Sequence, residues 1–181
     1  MRSRLTLALV ALVIATACSA AAPGGSTADP VGAVNKMISL IQAKQFSQLS
    51  TAVCAAKRAE IEAQFNPGAA LGPSASGVNP QQIVDAMTIS FSNVQTALVS
   101  QTATTAVVSV KGSMNIAVDP AKMRDVVRSL LTAQGVPADD ATVDQTLQSM
   151  TAAFADAQTI DSQVDVVNEG GQWLVCGDIS D

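Results

Sequence analysis

The sequence contains no histidine and no tyrosine, and it has a single tryptophan. Histidine is the commonest general base near neutral pH and the commonest metal ligand in proteins. Tyrosine supplies the phenolic proton donor of many active sites. Their joint absence removes the most frequent catalytic and metal-binding arrangements, so we expect a non-enzymatic protein that needs no metal and no cofactor.

Charged residues are also scarce. Asp, Glu, Lys and Arg make up 14% of the chain, and 15 acidic residues outnumber 10 basic ones. Scattered cations in an acidic chain give no electrostatic footprint for nucleic acid, so we expect no nucleic-acid partner. The chain has no polybasic stretch for anionic lipids, so any contact with a membrane should come from an anchor.

The chain lacks an apolar run of the about 20 residues that a bilayer-spanning helix needs. A shorter run, Leu5–Ala17, follows Arg2 and Arg4 and is interrupted only by two threonines. A basic start, a short apolar stretch and small residues at its end are typical of a secretory signal. Residues 1–17 are therefore predicted to be a signal peptide. The signal carries two basic residues and no acidic one, so its removal changes the net charge from −5 to −7.

The end of this leader resembles a known processing signal. Residues 15–18 (Ala-Thr-Ala-Cys) resemble the lipobox of bacterial lipoproteins; that pattern prefers Leu at the first of these positions, whereas Ala17 fits the third. The resemblance implies cleavage before Cys18 and lipidation of its thiol. Acyl chains such as palmitate would then anchor the protein to the cell membrane on its extracytoplasmic face. The alternatives are an ordinary signal cut after Ala20 or Ala22, and an uncleaved helix.

Cysteine is rare, with three in the chain. If Cys18 is lipidated, Cys54 and Cys176 remain, and cysteines outside the cytosol are disulfide candidates. Closing a loop of about 120 residues would restrict the unfolded chain by about 4–5 kcal/mol in the entropic model. The alternative is two buried free thiols, and without histidine two cysteines make a poor metal site.

Two segments follow the leader. Residues 18–28 are small and uncharged, which predicts a flexible tether. Residues 29–181 are long enough for one domain. The Asp29-Pro30 pair is a helix start, and apolar residues at a spacing of 3.6 predict a helix to about Lys44. Further helices are predicted over 46–54, 57–65 and 80–87, with a Gly- and Pro-rich loop over 66–80.

The apolar period then changes to two. This alternation predicts half-buried antiparallel strands over 88–101 and 104–118. Gly112 interrupts the apolar face of the second strand, which indicates a bulge. Residues 120–157 predict two amphipathic helices that form a hairpin, with Gly135 after the first.

Two more strands, 160–167 and 172–176, flank a turn over 168–171. The predicted fold is α+β, with amino-terminal helices packed on a curved antiparallel sheet and a helical hairpin, about 120–157, inserted between two strands.

This element order resembles a known superfamily. Three helices, then strands, then the closing sequence Gly-Gly-Gln-Trp-Leu-Val-Cys are similar to the nuclear-transport-factor-two-like, or cystatin-like, cone. The resemblance implies a curved sheet that wraps helices and leaves an apolar cavity. It also implies one cysteine late in the helical segment and one near the last strand, as Cys54 and Cys176 stand here. The inserted helical hairpin departs from the family pattern.

Several residues invite a functional interpretation. Enzymes of the cone superfamily use an acidic base, and the candidates here are Asp85, Asp161 and Asp165, which we expect to be solvated carboxylates. Trp173 is expected in the core, with a ligand platform as the alternative. The apolar stripes of the hairpin are expected to pack on each other or on the sheet, with a lid over the cone as the alternative; they are Met123, Val126, Leu130, Val143, Leu147, Met150 and Phe154.

Three functions remain open at this point. The first is a membrane-anchored, non-enzymatic binding or interaction domain of unknown ligand, with a small molecule or a protein as its partner. The second is a carrier of a lipid or other apolar small molecule in the cone cavity. The third is an isomerase-like enzyme. An apolar cavity of about 300 Å³ or more would favour the carrier, whereas a solid core with an exposed apolar patch would favour a protein partner.

Overall fold

The computed structural model describes residues 27–65 and 79–177. Amino-terminal helices pack against a curled, four-stranded antiparallel sheet, and two helices lie between its second and third strands. The predicted α+β fold is therefore confirmed. The elements are α1 (Pro30–Gln42), a 3₁₀ helix (Phe46–Thr51), α2 (Ala55–Gln64), α3 (Pro80–Ala86), β1 (Met87–Gln101), β2 (Thr105–Val118), α4 (Pro120–Ala133), α5 (Asp140–Ala153), β3 (Gln158–Glu169) and β4 (Gln172–Val175). The predicted signal peptide, Cys18 and most of the predicted loop 66–80 lie outside the described residues.

Side-chain caps fix the starts of α1, α3, α4 and α5. Asp29, Asn79, Asp119 and Asp139 each accept a hydrogen bond from a first-turn backbone N–H, at 2.7 to 3.0 Å. Hydrogen bonds from the backbone N–H and the hydroxyl of Thr142 lower the pKa of the Asp139 carboxyl. This cap therefore stabilises the fold above the ordinary carboxyl pKa, and its contribution is lost as the pH falls through the lowered value.

The sheet has the strand order β1-β2-β3-β4, with every neighbouring pair antiparallel. Alternation along β2 turns Ala106, Val108 and Val110 towards the helices, where they are buried. At the β3–β4 connection, Gly170 and Gly171 both have positive φ, at 61° and 85°. A two-residue hairpin turn of type I′ requires positive φ at both positions, which glycine adopts without strain.

A bulge bends β1 where it passes Gly112 of β2. The register slips between Ser92 and Gln95, and Asn93 has a φ of 53°. The bulge predicted at Gly112 therefore lies in the partner strand, directly opposite that glycine. A Cβ atom at Gly112 would lie 3.1 Å from both the backbone oxygen of Ser92 and the Cα of Val94. Glycine thus permits the close approach of the bulged strand.

The extra residue in β1 keeps both halves of this strand facing the helices. Before the bulge, Ile89 and Phe91 lie on the concave face of the sheet. Val94, one of the two bulged residues, packs against the core, and after the bulge the Thr96 hydroxyl donates to Oδ1 of Asn35 in α1 at 3.0 Å. One long strand therefore presents the same face on both sides of its bend.

The main core lies between α1, the 3₁₀ helix and the concave face of the sheet. Fully burying one large aliphatic side chain contributes about 1.5–3 kcal/mol, so this cluster supplies much of the stability. Its larger members are Val34, Met37, Leu40, Leu49, Val53, Val108, Val110, Val164, Val166, Trp173 and Val175.

The disulfide joins Cys54 to Cys176, 122 residues later, which confirms the predicted pairing. Beside it, the Cys54 N–H donates to the Val175 oxygen at 2.8 Å, and the Val175 N–H donates to the Ala52 oxygen at 3.0 Å. The predicted second helix, 46–54, is wrong at its end: it stops at Thr51. Ala52 still has helical dihedral angles, whereas Cys54 is extended, and the backbone groups of both residues pair with Val175 of β4.

The inserted helices build a second, smaller core. The buried residues of α4 and α5 pack against one another, against α3 and against Val118 at the end of β2; they are Met123, Val126, Val127, Val143 and Leu147. Gly135 has a φ of 71°, and the Val136 N–H donates to the Leu131 oxygen at 2.9 Å. This is the expected glycine stop of α4.

Candidate functional site

Two apolar cavities lie between the helices and the concave face of the sheet. The first, here called the sheet-side cavity, has a volume of about 420 Å³ and lies between α1 and the strands. Its apolar wall includes Val34, Ile38, Phe91, Val94, Val110 and Ile160. The second, the helix-side cavity, has a volume of about 650 Å³. It is bounded by α1, α2, α3, the start of β1 and the last residues of β2. Its apolar wall includes Phe46, Ile61, Phe65, Ile83, Ile89 and Ile116.

The two cavities adjoin one another. Met37 and Ile41 of α1, Met114 of β2 and Val175 of β4 line both of them. Methionine side chains are unbranched and adapt to irregular neighbours. An elongated apolar molecule that displaced these side chains slightly would occupy both spaces.

Lys44 fixes α3 at the wall of the helix-side cavity. Its Nζ donates to the backbone oxygens of Val84 and Met87, at 3.1 and 3.0 Å. A lysine that bonds the last carbonyls of a helix also offsets the negative end of its dipole. The contact holds the end of α1 against the junction of α3 and β1.

The rim of the helix-side cavity is polar. Lys57 Nζ lies 2.9 Å from Glu60 Oε2, and both residues border the opening with Gln64. An exposed ion pair of this kind contributes about 0–1 kcal/mol and keeps its charges in water. The charges therefore lie at the mouth and the apolar surface lies inside.

Ser162 is the exception in the wall of the sheet-side cavity. Alternation along β3 turns it to the concave face between Ile160 and Val164, and it lines this cavity. It is only 9% exposed, and its hydroxyl has no hydrogen-bond partner among the described residues. Ser162 was not predicted as a site residue, although a serine in the apolar row of a strand is a signal.

The three candidate carboxylates are exposed, as predicted. Asp85 accepts a hydrogen bond from Gln81 Nε2 at 2.9 Å on the surface of α3. Asp161 borders the sheet-side cavity, but its side chain is 66% exposed and lies 3.1 Å from Lys111 Nζ. Asp165 is exposed on the outer face of β3. The structure does not bring these three together in either cavity.

Trp173 is 5% exposed and belongs to the main core, so the expectation of a core residue is confirmed. It does not line either cavity. The apolar stripes of α4 and α5 pack on each other and on α3, as the first interpretation expected. Among the described lining residues of the two cavities, none belongs to α4 or α5.

Within residues 27–65 and 79–177, no three His, Cys, Asp or Glu side chains cluster as a metal site would require. In the same ranges, no helix has the length and apolar character needed to cross a bilayer.

Comparison of the chain with protein-family models, with curated proteins and with solved structures finds no match. The function is therefore inferred from the two cavities and the residues around them.

Proposed function

We propose that this protein is a non-enzymatic binding domain that holds an apolar small molecule or lipid chain in the two adjoining cavities. The observation that carries the proposal is their size and lining: about 420 and 650 Å³, lined mainly by aliphatic and aromatic side chains. Sites for small molecules typically measure about 300–1,000 Å³ and have such walls. The polar groups lie mostly at the openings, where an apolar ligand would not bury them.

A protein partner is the less favoured alternative. The exposed large apolar side chains among the described residues are Leu98, Val99 and Val136. The first two lie near the end of β1 and the third lies between α4 and α5. Isolated exposed apolar residues are normal on protein surfaces. The two cavities are therefore stronger support for a small-molecule ligand than this surface is for a protein partner.

The side chains of this protein favour ligand binding without a catalysed reaction. The chain has no histidine or tyrosine, and the candidate carboxylates Asp85, Asp161 and Asp165 are exposed. An acid–base catalyst in an apolar cavity needs a titratable group within hydrogen-bonding reach of its substrate. We therefore propose no reaction for this site.

The proposed setting is the extracytoplasmic face of a cell membrane. A signal peptide over 1–17 and a lipid anchor on Cys18 would place the domain there, and the Cys54–Cys176 disulfide supports an oxidising compartment. We also propose membership of the cystatin-like cone superfamily, supported by amino-terminal helices against a curled sheet and a closing β3–β4 hairpin.

Binding of diphenylhexatriene, a hydrocarbon that fluoresces in apolar surroundings, tests the proposed function. The wild-type protein is expected to bind it saturably. Met114→Trp places a larger side chain where both cavities meet and is expected to weaken binding about tenfold or more. Ser113→Trp is the matched control, because the neighbouring residue of a strand points to the opposite face and binding should be retained.

Circular dichroism and the thermal midpoint should show that both variants are folded. Saturable binding that is lost in Met114→Trp alone supports the proposal. Absence of binding to the wild-type protein, or equal binding by the two folded variants, contradicts it.

A further inference from the structure

The hydroxyl of Ser162 interrupts an otherwise apolar row. On the concave face of β3 the row runs Ile160, Ser162, Val164 and Val166, and Ser162 lies opposite Val110 of β2. Ser162 is 9% exposed and lines the sheet-side cavity. A valine or alanine would continue the row without burying a polar atom.

A buried hydroxyl is normally hydrogen-bonded, because an unpaired one carries its full desolvation penalty. Ser162 Oγ has no such bond among the described residues. The Oγ atom is itself buried, so a partner in the adjoining sheet-side cavity bonds it only after the serine side chain rotates about χ1. The unpaired hydroxyl and the apolar cavity lie at the same wall, and together they favour a ligand that brings a hydrogen-bonding group to it.

The charged residues around the sheet-side cavity limit the charge that the ligand's polar group can carry. Among the described lining residues there is no Lys or Arg, and the one titratable side chain is Asp161. Its carboxylate already lies 3.1 Å from Lys111 Nζ. An anionic head group placed here would be buried without a cation, which is strongly unfavourable. The cavity therefore suits an uncharged polar group.

We infer that the ligand is a neutral amphiphile with an apolar chain and a hydroxyl or ester group that hydrogen-bonds Ser162 Oγ. The polar group lies in the sheet-side cavity, and the chain extends past Met37 and Met114 into the helix-side cavity. Fatty alcohols and neutral acyl esters have this chemistry. This inference rests on the proposed function and adds the class of ligand and its orientation.

Displacement of bound diphenylhexatriene by 1-decanol and by decanoate tests the inference. The wild-type protein is expected to bind decanol more tightly than the decanoate anion. In Ser162→Ala the dissociation constant for decanol should rise about threefold to tenfold, because one hydrogen bond is lost. The affinity for diphenylhexatriene, which has no polar atom, should be unchanged.

Ser109→Ala is the matched control. This serine lies on the neighbouring strand, and its hydroxyl donates to the Ala97 oxygen at 3.2 Å outside the two cavities. Its removal should leave decanol binding unchanged. Without ligand, Ser162→Ala should also have a higher thermal midpoint than the wild type, because it removes an unpaired buried hydroxyl.

The outcomes separate this inference from the proposed function. If diphenylhexatriene binds but Ser162→Ala leaves decanol affinity unchanged, the inferred polar contact is wrong and the apolar site stands. Tighter binding of decanoate than decanol would also overturn the inference. If the wild-type protein binds no diphenylhexatriene, the proposed function fails with it.

Discussion

The hydroxyl of Ser162 is a single group whose surroundings come from tertiary structure. The residues beside it on the concave face of β3 are apolar, and it has no hydrogen-bond partner among the described residues. Whether a buried serine finds a partner depends on neighbours from other strands and helices.

Glu169 is a second residue whose role depends on tertiary structure. Its two carboxylate oxygens each accept from the Ala55 N–H at 3.2 Å, at the start of α2. Cys54, the residue before α2, provides no side-chain cap. A carboxylate at a helix start is stabilising because it offsets the positive end of the helix dipole. A residue 114 positions later therefore caps this helix.

Glu169→Gln should lower the free energy of unfolding by about 0.5–1 kcal/mol, because the capping charge is lost while the shape is kept. Urea denaturation measures this. The control is Glu60→Gln, which breaks an exposed pair within α2 and should cost less than about 0.5 kcal/mol. An equal loss in both variants would show that Glu169 has no capping role.

Among the elements, helix starts were the most predictable. Asp29-Pro30 and Asp119-Pro120 combine an acceptor side chain with a proline that needs no N–H partner, so the signal is entirely local. The predicted end of the helix over 46–54 was wrong because it depends on residues far away in the sequence. The chain becomes extended by Cys54 because β4, more than a hundred residues later, supplies the hydrogen-bond partners of Ala52 and Cys54.

The bulge shows the limit of reading one strand alone. Gly112 indicated an irregularity, but the extra residue is in β1, where Asn93 and Val94 oppose that glycine. A glycine in a strand often marks a site where another backbone approaches closely, and here the approaching strand, β1, is the one that bends. The bend in β1 also keeps apolar residues on the concave face, next to the cavities.

Gly112→Ala should destabilise the protein by about 1–3 kcal/mol, because the added Cβ meets backbone atoms rather than a flexible side chain. Ser113→Ala, at the next position on the opposite face, should change stability by less than about 0.5 kcal/mol. Urea denaturation of the two variants measures the difference. A Gly112→Ala variant as stable as the wild type would mean that β1 does not press on β2 at this point.

For the whole molecule, the order of elements predicted the α+β fold class correctly, because helical and strand periods occupy separate stretches of the chain. The cavities were not predictable in size or place. Their volumes depend on how α1, α2 and α3 lie across the curled sheet, and on the inserted helices forming their own core with α3.

The central claim is that the domain carries an apolar molecule, and native mass spectrometry of the protein from its own host's membranes tests it most directly. The same sample, denatured, gives the covalent mass, which is expected to correspond to a chain that begins at an acylated Cys18. The native mass should exceed it by one uncharged, lipid-like molecule, present on the wild type and absent from Met114→Trp. Equal native and denatured masses for the wild type, or an adduct retained by the folded Met114→Trp variant, would contradict the account.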